Sequence, residues 1–252
     1  AGFVTRPVVV GPVTFLLLSK PSDEAPEGFR PLSRLGDLLP VYRELLARLA
    51  AAGAPWVQLD EPALVSESID EPRDAVLAAT RTAYAELGGA ADRPALFVAA
   101  PYGSLDDALP VLASTPVEAL SLDLVRGSLP TGLDAATASA LAGKTLVGGV
   151  IDGHNIWRGD LEAAFGTLTE LLSLSPDVAV STSTSLLHVP HDVDDEPELD
   201  ARLKTWLAFA DQKVAQVAVL ARGLVDGHEA IQQELTAATA ALADRASAPG
   251  VR

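Results

Sequence analysis

Short apolar runs alternate with longer segments of helical periodicity along nearly the whole chain, and this alternation is what most restricts the fold. The runs are rich in β-branched residues and fall at Pro7–Gly11, Trp56–Asp60, Ala95–Ala99, Ala119–Val125, Thr145–Ile151 and Val178–Thr184. Most are continuously apolar, which is typical of parallel strands covered on both faces. The pattern predicts a βα repeat with a parallel sheet and right-handed crossovers.

The segments between these runs carry apolar residues at helical spacing and end at Gly or Pro, the residues that stop helices. They predict helices over Gly36–Ala52, Glu71–Leu87, Leu105–Leu112, Leu133–Leu141 and Leu161–Leu172. One long amphipathic helix is expected over Asp200–Leu224 and a last helix over His228–Arg245. Residues 247–252 are expected to form a polar tail.

The number of strands leaves two architectures open. A closed (β/α)8 barrel of the TIM type needs eight strands, and six runs are found, so the chain is either an open doubly wound sheet or a barrel that lacks two units. The first run begins at Pro7 and the chain has no Met, which together favour a barrel without its first two strands. With 252 residues, of which 48 % are hydrophobic, we expect a single domain over residues 1–252.

Composition excludes several classes of function. A net charge of −16 argues against nucleic acid and anionic membranes as partners, because both attract clustered Lys and Arg. No apolar stretch reaches the roughly 18 residues of a membrane span, and the start of the chain lacks the pattern of a signal peptide, so we expect a cytoplasmic location. The absence of Cys excludes disulfides, a thiol nucleophile and thiolate metal ligands. No glycine-rich nucleotide-binding motif follows a strand, and no Gly-x-Ser-x-Gly motif occurs.

Polar residues follow the predicted strands, where ligands bind in parallel α/β folds. The candidates for catalysis are Asp60, Asp123, Asp152 and His154, and the candidates for substrate binding are Thr14, Glu61, Tyr102, Asn155, Arg158 and His188. We expect no metal site at His188 and His191, because Pro190 lies between them and their spacing differs from that of helical zinc motifs. The acidic run Asp192–Glu198 is expected to form a solvated loop.

The Asp60–Glu61–Pro62 sequence permits two interpretations. Two carboxylates at the end of a buried strand can hold an ammonium group, accept a proton or bind a metal. Because adjacent strand residues point to opposite faces, only one of them faces the barrel interior. Alternatively, the carboxylates cap or fix the local backbone, and Pro62 ends the strand.

Four motifs resemble the cobalamin-independent methionine synthase family. They are GPVT at Gly11–Thr14, WVQLDEPAL at Trp56–Leu64, DGHNIWR at Asp152–Arg158 and SLLHVP at Ser185–Pro190, and they occur in the family's order. The family has two (β/α)8 barrels, and the resemblance is to the N-terminal one, from about Pro7 to about Leu224.

The resemblance implies methyl transfer from 5-methyltetrahydropteroyltri-L-glutamate to L-homocysteine. In the family, a zinc ion on Cys, His and Glu ligands of the C-terminal barrel activates the thiol, so this chain, without Cys, is expected to have no cofactor of its own. Asp60 matches the aspartate that contacts the homocysteine amine in the catalytic barrel. The later glutamate position falls on Ser66, and Glu67 does not restore the pattern, so Asp60 is implied to be a relic of duplication.

The leading hypothesis is therefore an inactive fragment of the enzyme that serves as scaffold and cleft wall beside the C-terminal barrel. The family's folate contacts in this barrel lie mainly in its first strands, which this chain lacks. One alternative is a non-catalytic domain that binds folate polyglutamate or docks a partner, although the charge of −16 repels polyglutamate. Another is a free-standing barrel hydrolase that uses Asp60, Asp123 and Asp152, which requires clustered carboxylates with perturbed pKa values.

Overall fold

A computed structural model describes residues 4–249, and its central element is a six-stranded sheet with the strands in chain order. The strands are β1 (Val8–Val10), β2 (Trp56–Asp60), β3 (Ala95–Ala99), β4 (Ala119–Asp123), β5 (Thr145–Ile151) and β6 (Val178–Thr182). Each lies within one of the six apolar runs. The pairs β1–β2, β2–β3 and β3–β4 are parallel, which confirms the predicted α/β class.

The register of the first three strands brings their carboxyl ends level. Val10 lies opposite Asp60, and Asp60 lies opposite Ala99. Along β2, Val57 and Leu59 are buried, whereas the alternate positions are half-buried. This alternation places the side chain of Asp60 on the more accessible face of its strand.

Nine α-helices lie within the described residues, and the predicted helices agree with them to within a few residues, apart from one long helix. They are α1 (Pro12–Leu18), α2 (Leu35–Ala51), α3 (Arg73–Gly88), α4 (Ala108–Ala113), α5 (Ala135–Leu141), α6 (Leu161–Leu171), α7 (Ala201–Trp206), α8 (Ala210–Asp226) and α9 (Gln232–Ser247). Helix α1 is additional to the prediction; Pro12 stands at its first position, where a missing N–H costs nothing. Of the predicted polar tail, Ser247 still belongs to α9, and residues 250–252 lie outside the described residues.

The prediction of one helix over Asp200–Leu224 is wrong at its centre. Helix α7 ends at Trp206, and the chain is extended until α8 begins at Ala210. In this break Leu207 pairs antiparallel with Trp157, and Ala208 N donates to Ile156 O at 2.8 Å. The four residues 206–209 are all buried, which an amphipathic helix with one apolar stripe does not achieve.

The chain divides into two compact units, Ala1–Leu122 with Pro130–Leu146 and Asp123–Leu129 with Val147–Arg252. In the first unit, the buried strand residues include Val57 and Leu59 of β2 and Leu96 and Val98 of β3. In the second, one cluster of buried side chains comprises Ile151, Leu161, Ala164, Leu168, Leu220, Ile231, Leu235 and Ala238. Within residues 4–249, no helix combines the length and apolar character that crossing a bilayer requires.

Asp244 joins α9 to α7 and gives the second unit a pH-dependent contact. It accepts hydrogen bonds from Arg202 Nε at 2.9 Å and from Trp206 Nε1 at 2.9 Å. The hydrogen bonds from Arg202 and Trp206 lower the pKa of Asp244 to about 2. Because this value lies below that of the unfolded chain, the carboxylate stabilises the fold above about pH 4, and the contribution is lost as pH falls toward 2.

We therefore expect Asp244→Asn to lower the urea midpoint at neutral pH and the deficit to shrink as pH falls from about 4 to about 2. Urea unfolding of the wild-type and Asp244→Asn proteins across this pH range measures the difference between their midpoints. Asp226→Asn, at the exposed end of α8, is the control and is expected to change the midpoint little. A deficit of the same size at low pH would contradict the assigned role of Asp244.

Candidate functional site

In the first unit, Glu61 follows β2 directly and is completely buried. Its Oε1 accepts hydrogen bonds from Tyr84 Oη at 2.6 Å and Val13 N at 3.2 Å, and its Oε2 accepts one from Thr14 N at 2.6 Å. Thr14 Oγ1 in turn accepts a hydrogen bond from Ala63 N at 3.1 Å. We call these residues the Glu61 network; it joins the start of α1, the end of β2 and helix α3.

Burial and the Glu61 carboxyl keep Tyr84 and the neighbouring Tyr42 protonated, so both act as hydrogen-bond donors. Burial raises the pKa of Glu61, while the hydrogen bonds from Tyr84, Thr14 and Val13 oppose the rise. Burial and the neighbouring Glu61 raise the pKa of Tyr84 well above its usual value and that of Tyr42 to about 12. Tyr42 Oη donates to Val10 O at 2.6 Å, so a second buried tyrosine holds the end of β1.

Gly11 is the position where this network leaves no space for a side chain. A Cβ added at Gly11 would lie 2.2 Å from the carboxyl carbon of Glu61. Each residue of the GPVT motif has a structural role. Gly11 permits the approach of the Glu61 carboxylate, Pro12 begins helix α1, and the backbone N–H groups of the next two residues donate to Glu61. Of the two interpretations of the Asp-Glu-Pro sequence, fixing the local backbone describes the geometry of Glu61.

Asp60 differs from Glu61 in being half-buried on the accessible face of β2. Its Oδ1 accepts a hydrogen bond from Gln58 Nε2 at 2.7 Å. Burial raises the pKa of Asp60, and Gln58 and Arg6 oppose the rise. The guanidinium of Arg6 lies 4.8 Å from the ring centroid of Phe97. Of the two adjacent carboxylates, Asp60 is the one that a dissolved ligand can reach.

Thr14 and Tyr102, also in the first unit, lie in contrasting surroundings. Thr14 is buried within the Glu61 network. Tyr102 follows β3, its residue is 46 % exposed, and its backbone φ is +83°. Among the candidate binding residues of this unit, Tyr102 is thus the one that presents a large side chain to solvent.

In the second unit, four of the candidate residues come together at the carboxyl ends of β5 and β6. Asp152 accepts hydrogen bonds from His154 N at 2.7 Å and from Asn155 Nδ2 at 2.6 Å. The rings of His154 and His188 meet edge to face with centroids 4.7 Å apart. Asn155 Oδ1 accepts from Trp157 N at 2.9 Å, so the DGHN turn is fixed by its own polar side chains.

The remaining candidates of the second unit are Asp123 and Arg158. Asp123 is buried and accepts hydrogen bonds from the backbone N–H groups of Val125 and Arg126 at 3.0 and 2.9 Å, so it fixes the turn after β4. Burial lowers the pKa of Arg158. Its buried Nε makes no hydrogen bond within the described chain.

Within residues 4–249, no group of three or more His, Asp and Glu side chains is placed to hold a metal ion. His191 lies near Asp195 at 3.5 Å and Asp211 at 3.7 Å, in exposed surroundings.

Comparison with known proteins identifies the family. A model of the N-terminal domain of cobalamin-independent synthases matches residues 1–176, well over half of the chain. The chain belongs to the cobalamin-independent synthase family. The resemblance carried by the four motifs is thereby confirmed.

Curated relatives of this family are long methyltransferases. The 5-methyltetrahydropteroyltriglutamate–homocysteine methyltransferase of Mycobacterium tuberculosis is 51 % identical over 249 residues, which cover 98 % of this chain and 31 % of the relative. The enzyme of the same name from Streptomyces coelicolor is 50 % identical over 252 residues, which cover 100 % of this chain and 32 % of the relative. The chain thus spans about a third of the length of the curated relatives it matches.

Solved structures share the fold of this family member. A B12-independent methionine synthase from Shewanella superposes with a TM-score of 0.58 at 19 % identity, covering 91 % of this chain and 62 % of that one. A Listeria monocytogenes protein assigned to the same class gives 0.61 at 14 % identity, covering 90 % and 64 %. At these identities the similarity establishes the fold alone.

Sequence reasoning missed several residues on which the sites of this family member depend. Tyr42 and Tyr84 lie on the inward faces of α2 and α3, where they look like ordinary core residues. Lys213 is completely buried on α8, donates to Trp157 O at 3.2 Å, and has a pKa lowered by burial. Lys213 lies three residues before Gln216, so the two share one face of α8, and this spacing is the sequence signal that indicates an inward-facing lysine.

Proposed function

We propose that this chain is the N-terminal domain of a longer cobalamin-independent methionine synthase, which transfers a methyl group from 5-methyltetrahydropteroyltri-L-glutamate to L-homocysteine. The observation that carries the proposal is the 51 % identity over 98 % of the chain to enzymes of that name. In the longer protein the chain serves as scaffold and as a wall of the cleft that faces the C-terminal domain, in the cytoplasm.

The donor set of this chain does not fit a zinc site that activates a thiol. Such a site needs three protein ligands and an open position for the substrate sulfur. The chain has no Cys, and the described residues hold no group of three His, Asp and Glu ligands. The proposal therefore assigns the zinc and the methyl transfer to the C-terminal domain, and the chain alone is inactive.

An assay of methionine formation tests whether methyl transfer requires the C-terminal domain. The purified chain is supplied with zinc, homocysteine and methyltetrahydropteroyltriglutamate, and the full-length relative from Streptomyces coelicolor serves as the positive control. We expect methionine from the full-length enzyme and none from the chain. Turnover by the chain alone would overturn the proposal.

The six strands are proposed to be strands three to eight of one (β/α)8 barrel. The chain order of the strands and the parallel pairing of the first four support this assignment. Strand β1 is at one edge of the sheet, and its Val8 and Val10 are 56 % and 48 % exposed. An edge with exposed valines is a template for further strands, which the longer polypeptide supplies in this proposal.

This edge leads to a prediction about the chain in isolation. We expect it to self-associate through β1, and the double substitution Val8→Lys and Val10→Lys to yield monomers, because lysines on an edge strand oppose pairing. Light scattering after size exclusion measures the outcome. Val41→Lys, an equally exposed valine on α2, is the control and should leave association unchanged. A wild-type chain that stays monomeric at high concentration would contradict the open edge.

The proposed alternative of a domain that binds the folate polyglutamate tail has its own test. Titration of the chain with a folate triglutamate is expected to show no binding, since a chain of charge −16 repels a polyanion. Tight binding that weakens with salt would favour the alternative. The hydrolase hypothesis gains no support from Asp123 and Asp152, because both already accept hydrogen bonds from their own turns.

A further inference from the structure

A cavity of about 340 Å³ opens in the first unit beside the carboxyl ends of β2 and β3. Its walls come from the end of α1, from the turn and loop that follow β2, and from the loop that follows β3. The wall residues include Leu18, Pro62, Val65, Ser66, Ile69 and Tyr102. Ligands of parallel α/β folds bind at this end of the strands, and the volume lies in the lower range of small-molecule sites.

Tyr102 is the unusual residue of this cavity. Its φ of +83° lies in a region that residues with a Cβ rarely adopt. Such strain costs about 1–3 kcal/mol and persists where the surroundings enforce it, most often at binding sites. Tyr102 as a residue is nevertheless 46 % exposed, so the strain does not serve to bury an aromatic side chain.

Arg73, the first residue of α3, holds the two walls of the cavity in a fixed relation. Its Nη1 donates to Leu64 O at 2.7 Å, in the short helix Pro62–Val65. Its Nε donates to both carboxylate oxygens of Asp107 at 3.0 and 3.1 Å, at the end of the loop that begins at Tyr102. The cavity is therefore formed before any ligand arrives, which lowers the entropic cost of binding.

The two walls also touch each other directly. A Cβ added at Gly103 would lie 3.3 Å from Val65 Cβ, so the loop packs closely on the helix that follows β2. The Arg73 bridge and this contact lie on neighbouring parts of the same loop. Tyr102 is the residue before this contact and lines the cavity.

The chemistry of the lining selects the ligand. The cavity is lined by apolar side chains with the hydroxyls of Ser66 and Tyr102, and none of the described residues that line it is charged, in a chain that carries −16 overall. We propose that this cavity is a binding subsite for an uncharged aromatic ring, which packs against Tyr102 and the apolar walls. Aromatic pairs gain about 0.5–1.5 kcal/mol beyond the burial of area, so the ring is preferred over an aliphatic group of equal size. The subsite is independent of the methyl transfer proposed for the longer protein.

Ligand-observed NMR with three small probes tests the subsite on this chain. Benzamide is the uncharged aromatic probe, cyclohexanecarboxamide lacks the aromatic ring, and benzoate carries a charge. We expect benzamide to bind the wild-type chain with a Kd in the millimolar range, about two- to tenfold more tightly than either of the other two. Failure of benzamide to bind the folded chain, or equal binding of cyclohexanecarboxamide, would overturn the proposal.

Two substitutions of Tyr102 distinguish the loss of its aromatic ring from a loss of folding. Tyr102→Phe keeps the ring and should bind benzamide like the wild type, whereas Tyr102→Gly removes the ring and should weaken binding about two- to tenfold. Glycine adopts positive φ without strain, so Tyr102→Gly is expected to stay folded, as thermal unfolding will show. Benzamide binding by Tyr102→Gly at wild-type strength would contradict the role of Tyr102.

Arg73→Ala tests the proposed positioning role without altering the lining. It is expected to weaken benzamide binding because the two walls lose their common anchor. Arg81→Ala, an exposed arginine on the same helix, is the matched control and should bind as the wild type does. Unchanged binding by a folded Arg73→Ala variant would contradict the preformed geometry.

Discussion

Gly11→Ala is expected to destabilise the chain by about 3–5 kcal/mol, which is among the largest effects of a single methyl group. The added Cβ would lie 2.2 Å from the Glu61 carboxyl, so the carboxylate must move away from its donors. Moving it leaves the N–H groups of Val13 and Thr14 and the hydroxyl of Tyr84 without their acceptor inside the core. Each buried donor left unpaired costs about 1–3 kcal/mol.

Urea unfolding measures this loss, and Gly36→Ala is the matched control. Gly36 lies in α2, and nothing lies within 4 Å of a Cβ added there. Alanine is favoured over glycine in a helix by about 0.5–1 kcal/mol, so the control should be slightly more stable than the wild type. A Gly11→Ala protein as stable as the wild type would show that Glu61 is not fixed by this network.

Arg93→Ala is expected to cost about 3 kcal/mol at the opposite end of the sheet, where β3 and β4 begin. The guanidinium donates to Gly88 O at 2.6 Å, to Pro94 O at 2.8 Å and to Pro116 O at 3.0 Å. It also donates to both carboxylate oxygens of Glu118 at 2.9 and 2.8 Å. Removing it leaves several acceptors without their donor, and its own side chain is only 10 % exposed.

Chemical unfolding of two arginine variants distinguishes these bonds from a general effect of charge. Arg81→Ala removes the same charge from an exposed site on α3 and is expected to change stability by less than about 0.5 kcal/mol. Arg93→Lys keeps the charge but loses the planar fork, so we expect a loss between those of the two alanine variants. Equal stability of Arg93→Ala and Arg81→Ala would contradict the assigned role of Arg93.

The strands could be predicted from the sequence because each is a short, mostly apolar run that ends on, or is followed within two residues by, Pro, Gly or a polar residue. Those signals are local, and β2 and β3 lie exactly within the limits that they set. The break between α7 and α8 could not be predicted, because the apolar run 206–209 is compatible with helical periodicity. The run is extended because Leu207 pairs with Trp157 and Ala208 N donates to Ile156 O, contacts with a segment about 50 residues earlier in the chain.

The candidate sites were predictable in part, because strand ends are where parallel sheets carry polar residues. Asp60, Asp152 and His154 stand where the pattern indicated. The burial of Glu61 and its bond to Tyr84, 23 residues away, depend on tertiary packing. The positive φ of Tyr102 could not be predicted from the sequence either, since Gly, Asn or Asp usually occupies such positions. The hydrogen bonds from Arg73 to Leu64 O and Asp107 also depend on tertiary packing, so the sequence alone does not predict them.

The central claim is that this chain is one domain of a longer methyltransferase. The intact mass of the native gene product in extracts of its source cells tests it most directly, by immunoblot and mass spectrometry with antibodies against the chain. Because the chain covers 31 % of its relatives, we expect a product roughly three times heavier than 26.1 kDa that fractionates with methionine formation. A native product of 26.1 kDa, separate from that activity, would contradict the claim.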